Sequence, residues 1–169
     1  MFIGDDGEGR RVSGLCLCEG PGELELHRMI RLPRCGYGLA QAYSAMGTKE
    51  LGRAGESLVC RFLEATGNEV VERNWTCPHG EADIIARTAD GTLAFVEVKT
   101  RRVESFDDDV VPELLVGEAK QDRYRDIARD YLLRAGRESL ARFDVAGLSV
   151  KDGEDARLHY INGAFWGDR

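Results

Sequence analysis

The feature that most constrains this chain is the stretch at residues 80–102, GEADIIARTADGTLAFVEVKTRR. Two runs rich in Ile, Val, Thr and Phe flank Ala89-Asp90-Gly91, a turn signal. Short β-prone runs around a glycine-containing loop of three to five residues are typical of a β-hairpin. We therefore predict a hairpin whose loop covers residues 88–92.

The register of this hairpin creates an unfavourable acidic pair. With Arg87 facing Leu93, Asp83 lies opposite Glu97, and Lys99 lies two residues further along on the same face. The other face is wholly apolar and consists of Ala82, Ile84, Ala86, Ala94, Val96 and Val98. Like charges directly opposed across two strands destabilise the pair. A local rule broken inside an otherwise well-formed element tends to mark a functional site.

The residue types of this pair indicate a particular chemistry. Asp83 and Glu97 would offer the hard oxygen ligands that Mg²⁺ or Mn²⁺ prefers, with water and phosphate oxygens completing the shell. Lys99 would add a positive charge beside them, which suits phosphodiester hydrolysis. Glu56, on the first predicted helix, could complete the metal shell. Taken alone, it could equally be a solvent-facing glutamate at a helix start, where negative charge is favourable.

Composition limits the class of protein. A chain of 169 residues with 43% hydrophobic residues makes one ordinary domain, and no apolar run approaches the roughly 20 residues of a membrane span. The net charge of −7 argues against broad electrostatic binding of nucleic acid, but not against a metal-dependent enzyme. The five cysteines are irregularly spaced and no export signal is apparent. We therefore expect reduced thiols and a cytoplasmic location.

The chain divides near residue 47. Residues 1–47 are rich in glycine, lack lysine and have no sustained period, so we expect a poorly ordered extension or a natural start near Met46. Cys16, Cys18 and Cys35 fall short of a four-ligand zinc set. Residues 48–169 carry the expected folded domain. Its predicted elements, besides the hairpin, are helices at 48–66 and 116–136, strands at 69–75 and 139–150, and an edge strand at 157–161.

The spacing of the acidic pair resembles that of a known nuclease group. Asp83, thirteen residues and then Glu97-Val98-Lys99 resembles the D…E-x-K core of the PD-(D/E)XK nuclease superfamily. More narrowly, residues from about 48 to 165 resemble the YraN-type family of bacterial endonuclease-like proteins. Further matching segments are Gly55-Glu56, Arg73-Asn74, Gly80-Glu81, Lys120-Gln121, Tyr131-Leu132, Arg142-Phe143-Asp144-Val145 and Ala164-Phe165.

This resemblance implies a fold and a set of site residues. The fold would be α/β, with a restriction-endonuclease-like central mixed β-sheet flanked by helices, as in Holliday-junction resolvases. Asp83 and Glu97 would hold Mg²⁺ or Mn²⁺, with Glu56 as an accessory carboxylate. Lys99 would assist hydrolysis. The implied catalytic residues are thus Glu56, Asp83, Glu97, Lys99 and Gln121.

The resemblance also implies a nucleic-acid partner, with DNA first. Lys120 would lie near the scissile phosphate together with Gln121, while Arg73, Arg101 and Arg102 are our candidates for backbone contacts or, alternatively, solvated surface arginines. The leading hypothesis is a metal-dependent nuclease acting on DNA or on branched or processed nucleic acid, and a resolvase-like activity would suit a two-fold homodimer. One alternative is a non-catalytic nucleic-acid-binding module of the same fold, and another is a structural partner in a repair complex.

Overall fold

A computed structural model describes residues 25–31, 45–106, 117–136, 139–151 and 155–165. These residues form two helices, the strands of one sheet and the turns next to them. In chain order they are β1 (Glu25–Arg31), α1 (Thr48–Ala65), β2 (Glu69–Cys77), β3 (Gly80–Arg87), β4 (Leu93–Arg102), α2 (Glu118–Ala135), β5 (Ala141–Lys151) and β6 (Asp155–Phe165). None of the described helices is long and apolar enough to cross a membrane.

The sheet has six strands in the order β1-β6-β5-β4-β3-β2. β4 and β5 pair in parallel, and the other neighbours pair antiparallel. A parallel pair needs a long crossover between its strands, and α2 lies in that crossover. The predicted α/β class, a mixed sheet flanked by helices, is therefore confirmed.

β1 is a departure from the expectation for the N-terminal stretch. Its seven residues lie within the extension expected to be poorly ordered, yet they pair antiparallel with β6. The strand predicted at residues 157–161 is longer than expected, and it is not an edge, because it also pairs with β5. Cys16, Cys18 and Cys35 lie outside the described residues.

The hairpin has the predicted register where its strands pair. Arg87 faces Leu93 and Ile85 faces Phe95, and the loop is closed by a hydrogen bond from Thr88 N–H to the Thr92 carbonyl oxygen at 3.0 Å. The ladder ends at the pair formed by Ile84 and Val96, one pair before Asp83 and Glu97.

Each helix covers one face of the sheet. α1 packs on a cluster that includes Ile84, Ala86, Ala94 and Val96, and α2 packs on one that includes Ile85 and Phe95. Ala82 belongs to the second cluster, so its predicted place beside Ile84 and Ala86 is wrong. The strict alternation fails at Asp83, past the end of the β3–β4 ladder, where the facing residue of β2, Asn74, has a left-handed φ of 51° and the two residues do not pair.

Gly55 marks a close approach of α1 to the sheet. A Cβ at this position would lie 1.9 Å from Thr100 Oγ1 and 2.9 Å from Thr100 Cβ. This contact sets the depth at which α1, and with it the adjacent Glu56, meets β4. Sequence reasoning gave Gly55 no packing role, because the close approach depends on a strand that lies far away along the chain.

We expect Gly55→Ala to lower the free energy of unfolding by about 1–3 kcal/mol, because the added methyl group overpacks the contact with Thr100. The matched control is Gly52→Ala in the same helix, where a Cβ would meet no atom within 4 Å. That change should raise the free energy of unfolding by roughly 0.5–1 kcal/mol through helix propensity. Urea denaturation measures both, and equal effects at the two positions would contradict the packing assigned to Gly55.

Candidate active site

The candidate site lies where β3 and β4 stop pairing. Past the pair formed by Ile84 and Val96, the Asp83 side chain takes the place of a ladder hydrogen bond: its Oδ2 accepts the Val98 N–H at 2.8 Å. Asp83 is half-buried. The carboxylate is therefore held by the backbone of the neighbouring strand, close to Glu97.

Glu97 is the centre of the site and is only 3% exposed. Its Oε1 lies 2.7 Å from Lys99 Nζ and also forms an ion pair with Lys120 Nζ. Its Oε2 accepts a hydrogen bond from the Tyr124 hydroxyl at 2.6 Å. Each carboxylate oxygen thus has a protein donor, and two of these donors come from the first two turns of α2.

The electrostatic environment separates the two carboxylates. Burial and the charge of Glu97 raise the pKa of Asp83 to about 6, and the hydrogen bond from Val98 N–H only partly offsets them. Burial also acts to raise the pKa of Glu97, but the hydrogen bonds from its lysine and tyrosine donors outweigh it, and the pKa falls below its ordinary value. Glu97 is therefore ionised at neutral pH. Asp83, with a pKa of about 6, changes its protonation state not far below neutral pH.

Lys99 keeps its proton in this environment. Burial acts to lower its pKa, but the hydrogen bond to Glu97 outweighs burial and the pKa rises above its ordinary value. The Lys99 side chain is 42% exposed and that of Lys120 is 31% exposed. The site therefore presents two ammonium groups to solvent above a buried carboxylate.

Glu56 lies at the margin of this cluster. Its side chain is 17% exposed and its Oε2 lies 3.9 Å from a guanidinium nitrogen of Arg73. With its amide nitrogen turned toward the carboxylates, Asn74 donates to Glu56 Oε2 at 3.2 Å and to Glu81 Oε1 at 3.1 Å. The charge of Glu56 contributes to the raised pKa of Asp83. Within the part of the chain that the structure describes, no three His, Cys, Asp or Glu side chains are grouped to hold a metal ion.

The other predicted residues lie on α2, on β2 and at the end of β4. Gln121 follows Lys120 on α2 and is half-buried. Arg73 donates to Ser57 Oγ at 3.2 Å, on the Glu56 side of the site. At the end of β4, Arg101 donates to Ser149 Oγ at 3.3 Å and Arg102 donates to the Met46 carbonyl oxygen. These last two guanidinium groups hold neighbouring parts of the protein together.

Sequence reasoning missed two residues that touch the site. A tyrosine within a helix is ordinarily a core residue, so Tyr124 is not among the predicted site residues, although its position one helical turn after Lys120 puts both on one side of α2. Asn74 has a φ of 51°, a left-handed conformation within a strand. Nothing in the local sequence signals that conformation, although asparagine tolerates it better than most residues do.

Comparison with solved structures finds SfsA of Pyrococcus furiosus in complex with Ca²⁺, with 14% identity and a TM-score of 0.35 over 96% of this chain and 75% of that one. A likeness at this level carries no functional conclusion.

Sequence relatives are much closer. UPF0102 proteins of Syntrophus aciditrophicus and Alkaliphilus metalliredigens are 42% and 41% identical over 115 and 120 residues. These matches cover 68% and 70% of this chain and 87% and 99% of the relatives. The model of uncharacterised protein family UPF0102 matches residues 55–148, a span that contains Asp83, Glu97, Lys99, Lys120 and Tyr124. The chain therefore belongs to the uncharacterised protein family UPF0102.

Proposed function

We propose that this protein is a metal-dependent nuclease of the PD-(D/E)XK type that hydrolyses phosphodiester bonds, with DNA as its leading substrate. The observation that carries the proposal is the convergence of Asp83 and Glu97 where the β3–β4 ladder ends. Lys99 and Lys120 both contact the Glu97 carboxylate there. A pair of carboxylates that raises the pKa of one member, with two cations beside it, is typical of a catalytic centre.

Asp83 and Glu97 are the residues that would hold Mg²⁺ or Mn²⁺. Mg²⁺ is commonly bound by one or two carboxylates, with waters and substrate phosphates as its remaining ligands. The donor set fits, because Asp83 Oδ2 is held by Val98 N–H while Oδ1 accepts no hydrogen bond from the described residues. A divalent cation would also offset the burial and the charge of Glu97 that together raise the pKa of Asp83. When bound, the ion would polarise the phosphoryl group and lower the pKa of the attacking water.

The protein's own groups would supply the rest of the chemistry. Lys99 retains its proton, so we assign it the role of a charge donor that orients the water and stabilises negative charge developing on the phosphoryl oxygens. Lys120, equally close to Glu97 and open to solvent, would position the scissile phosphate. Glu56 and Gln121 would act around this centre, as the resemblance implies, and Arg73 is our own candidate for a contact with the nucleic-acid backbone.

The local charge also answers the objection raised by the acidic composition. The net charge of −7 is spread over the whole chain, whereas Lys99 and Lys120 stand at the mouth of the site. A phosphodiester would meet these cations before it met the buried Glu97 carboxylate. Binding would therefore depend on a local contact, and we expect it to weaken with salt.

The test is a cleavage assay with Mg²⁺ or Mn²⁺ over linear, flapped and four-way DNA and the matching RNA substrates. We expect cleavage of at least one substrate that requires the metal and that Asp83→Ala and Glu97→Ala each remove. Glu69→Gln is the control, because Glu69 lies on the surface and pairs with Arg87. Cleavage that survives both alanine changes would overturn the proposal, and tight metal-independent binding without cleavage would favour the binding module instead.

A further inference from the structure

We infer that Tyr124 is a positioning residue that holds the Glu97 carboxylate in the orientation the site needs. The inference rests on the proposed function and adds a residue to it. Tyr124 is 1% exposed, and its hydroxyl donates to Glu97 Oε2 at 2.6 Å. A hydrogen bond of this length between a buried hydroxyl and an ionised carboxylate is a strong, charge-assisted one.

The two oxygens of Glu97 meet different kinds of donor. On Oε1 the donors are Lys99 and Lys120, whose long side chains are partly exposed. On Oε2 the donor is an aromatic residue packed in the core, with its ring edge-on to Phe165 at a centroid distance of 6.3 Å. Lysine side chains have many rotamers to lose, whereas a buried tyrosine ring is fixed by its packing. Tyr124 therefore sets the plane of the carboxylate.

This division leaves the lysines able to serve a substrate. If the lysines alone held Glu97, their movement toward a phosphate would release the carboxylate as well. With Oε2 held by Tyr124, Lys99 and Lys120 can turn toward an anionic substrate while Glu97 keeps its orientation.

A second tyrosine in the same protein provides a matched control. Tyr160 is 3% exposed, and its hydroxyl donates to Asp144 Oδ2 at 2.7 Å. This pair lies on β5 and β6, under α1, and has no part in the proposed site. Tyr124→Phe and Tyr160→Phe thus each remove one buried hydroxyl that donates a hydrogen bond to a buried carboxylate. The two carboxylates differ in that only Glu97 is a proposed metal ligand.

The experiment measures Mn²⁺ binding to the full chain by electron paramagnetic resonance of the free ion, with thermal unfolding followed by circular dichroism. Loss of a group that orients a metal ligand typically weakens metal binding by about 10–100-fold. We expect a rise of this size in the Mn²⁺ dissociation constant for Tyr124→Phe and less than about a twofold change for Tyr160→Phe. Where cleavage is observed, kcat should fall for Tyr124→Phe with KM little changed, because Lys99 and Lys120 remain.

A double-mutant cycle separates positioning from a general loss of structure. Since Tyr124 acts through Glu97, adding Tyr124→Phe to Glu97→Gln should change Mn²⁺ binding no further. Unchanged Mn²⁺ binding in folded Tyr124→Phe, or an equal loss in Tyr160→Phe, would overturn the inference and leave the proposed function intact. Failure of the wild-type chain to bind Mn²⁺ would overturn the proposed function, and this inference with it.

Discussion

Replacing Asp83 by asparagine should abolish cleavage and at the same time make the fold more stable at pH 8. The carboxylate is a proposed metal ligand, and because loss of an outer-shell partner already costs about 10–100-fold, loss of a ligand should cost at least about 100-fold in activity. The same carboxylate is unfavourable to the folded state when it is ionised. Its pKa rises from an ordinary 3.8 to about 6 on folding, chiefly through burial and then through Glu97.

The pH dependence of this stabilisation has a defined sign. Between pH values near 4 and 6 the folded state binds more protons than the unfolded state, so stability falls as pH rises through this window. Asparagine carries no charge and so avoids this loss of stability. Because Asp83 is partly exposed and solvent screens its charge, we expect Asp83→Asn to raise the free energy of unfolding by about 1–2 kcal/mol above pH 6. The gain should shrink as pH falls toward 4 and vanish below the unfolded pKa of 3.8, where Asp83 is protonated in both states. Wild-type cleavage should rise with pH through about 6, because a protonated Asp83 cannot bind a cation.

Urea denaturation at pH 4 and pH 8, beside the cleavage assay, tests both parts of this expectation. Glu69→Gln serves as the control, because its carboxylate is on the surface and paired with Arg87 at 2.7 Å. It should change activity little and show no comparable gain at pH 8. If Asp83→Asn were instead destabilising at pH 8, the hydrogen bond from Val98 N–H would outweigh the burial of the charge.

The largest effect on stability should come from Asp144, which lies beside Val96 on the neighbouring strand β5 but has no part in the proposed chemistry. Its side chain is fully buried and accepts two hydrogen bonds from Arg142, each of 2.9 Å. It also accepts the Tyr160 hydroxyl at 2.7 Å and the Gly163 N–H at 2.9 Å. Asp144→Ala would leave all of these donors without their acceptor, so we expect a loss of about 3–5 kcal/mol in the free energy of unfolding.

A matched substitution at an exposed ion pair is the control for this loss of stability. Asp126 pairs with Arg129 one turn further along α2, at 2.8 Å, with both side chains well exposed. Asp126→Ala should cost less than about 1 kcal/mol, as surface ion pairs usually do. Urea denaturation at pH 7 measures both variants. A cost for Asp144→Ala close to that of Asp126→Ala would mean that water or a shifted side chain replaces the lost acceptor.

The residues of the site differ in how far the sequence could reveal them. The hairpin register was predictable because turn chemistry and two-residue periodicity are local, and they correctly paired Ile85 with Phe95. The sequence also pointed to Asp83, Glu97 and Lys99 as neighbours, and the structure brings them together. The sequence could not reveal that the Asp83 carboxylate accepts a hydrogen bond from Val98 N–H, because any residue except proline at position 98 could donate that bond.

Contacts between elements that are distant in the chain could not be predicted from the sequence, for a different reason. Tyr124 reaches Glu97 only because α2, within the crossover from β4 to β5, packs back on the sheet, and residue types on either side allow many docking angles. Likewise, the Gly55 contact depends on where α1 settles over β4. The prediction puts Ala82 on the wrong face because it extends the alternation past the end of the β3–β4 ladder, through Asp83. Periodicity describes an element, and the site is made where elements meet.

The pairing of β1 with β6 has a consequence for the order in which the sheet assembles. β1 comes early in the chain and its partner is the final described strand, so nearly the whole chain lies between them. During synthesis β1 emerges before any strand it can join, whereas β2, β3 and β4 each find a partner beside them. Contacts of high sequence separation close slowly because the loop entropy is lost first. We therefore expect β1 to join last, and until it does, β6 would present an unpaired backbone edge that a nascent or partly folded second chain could occupy.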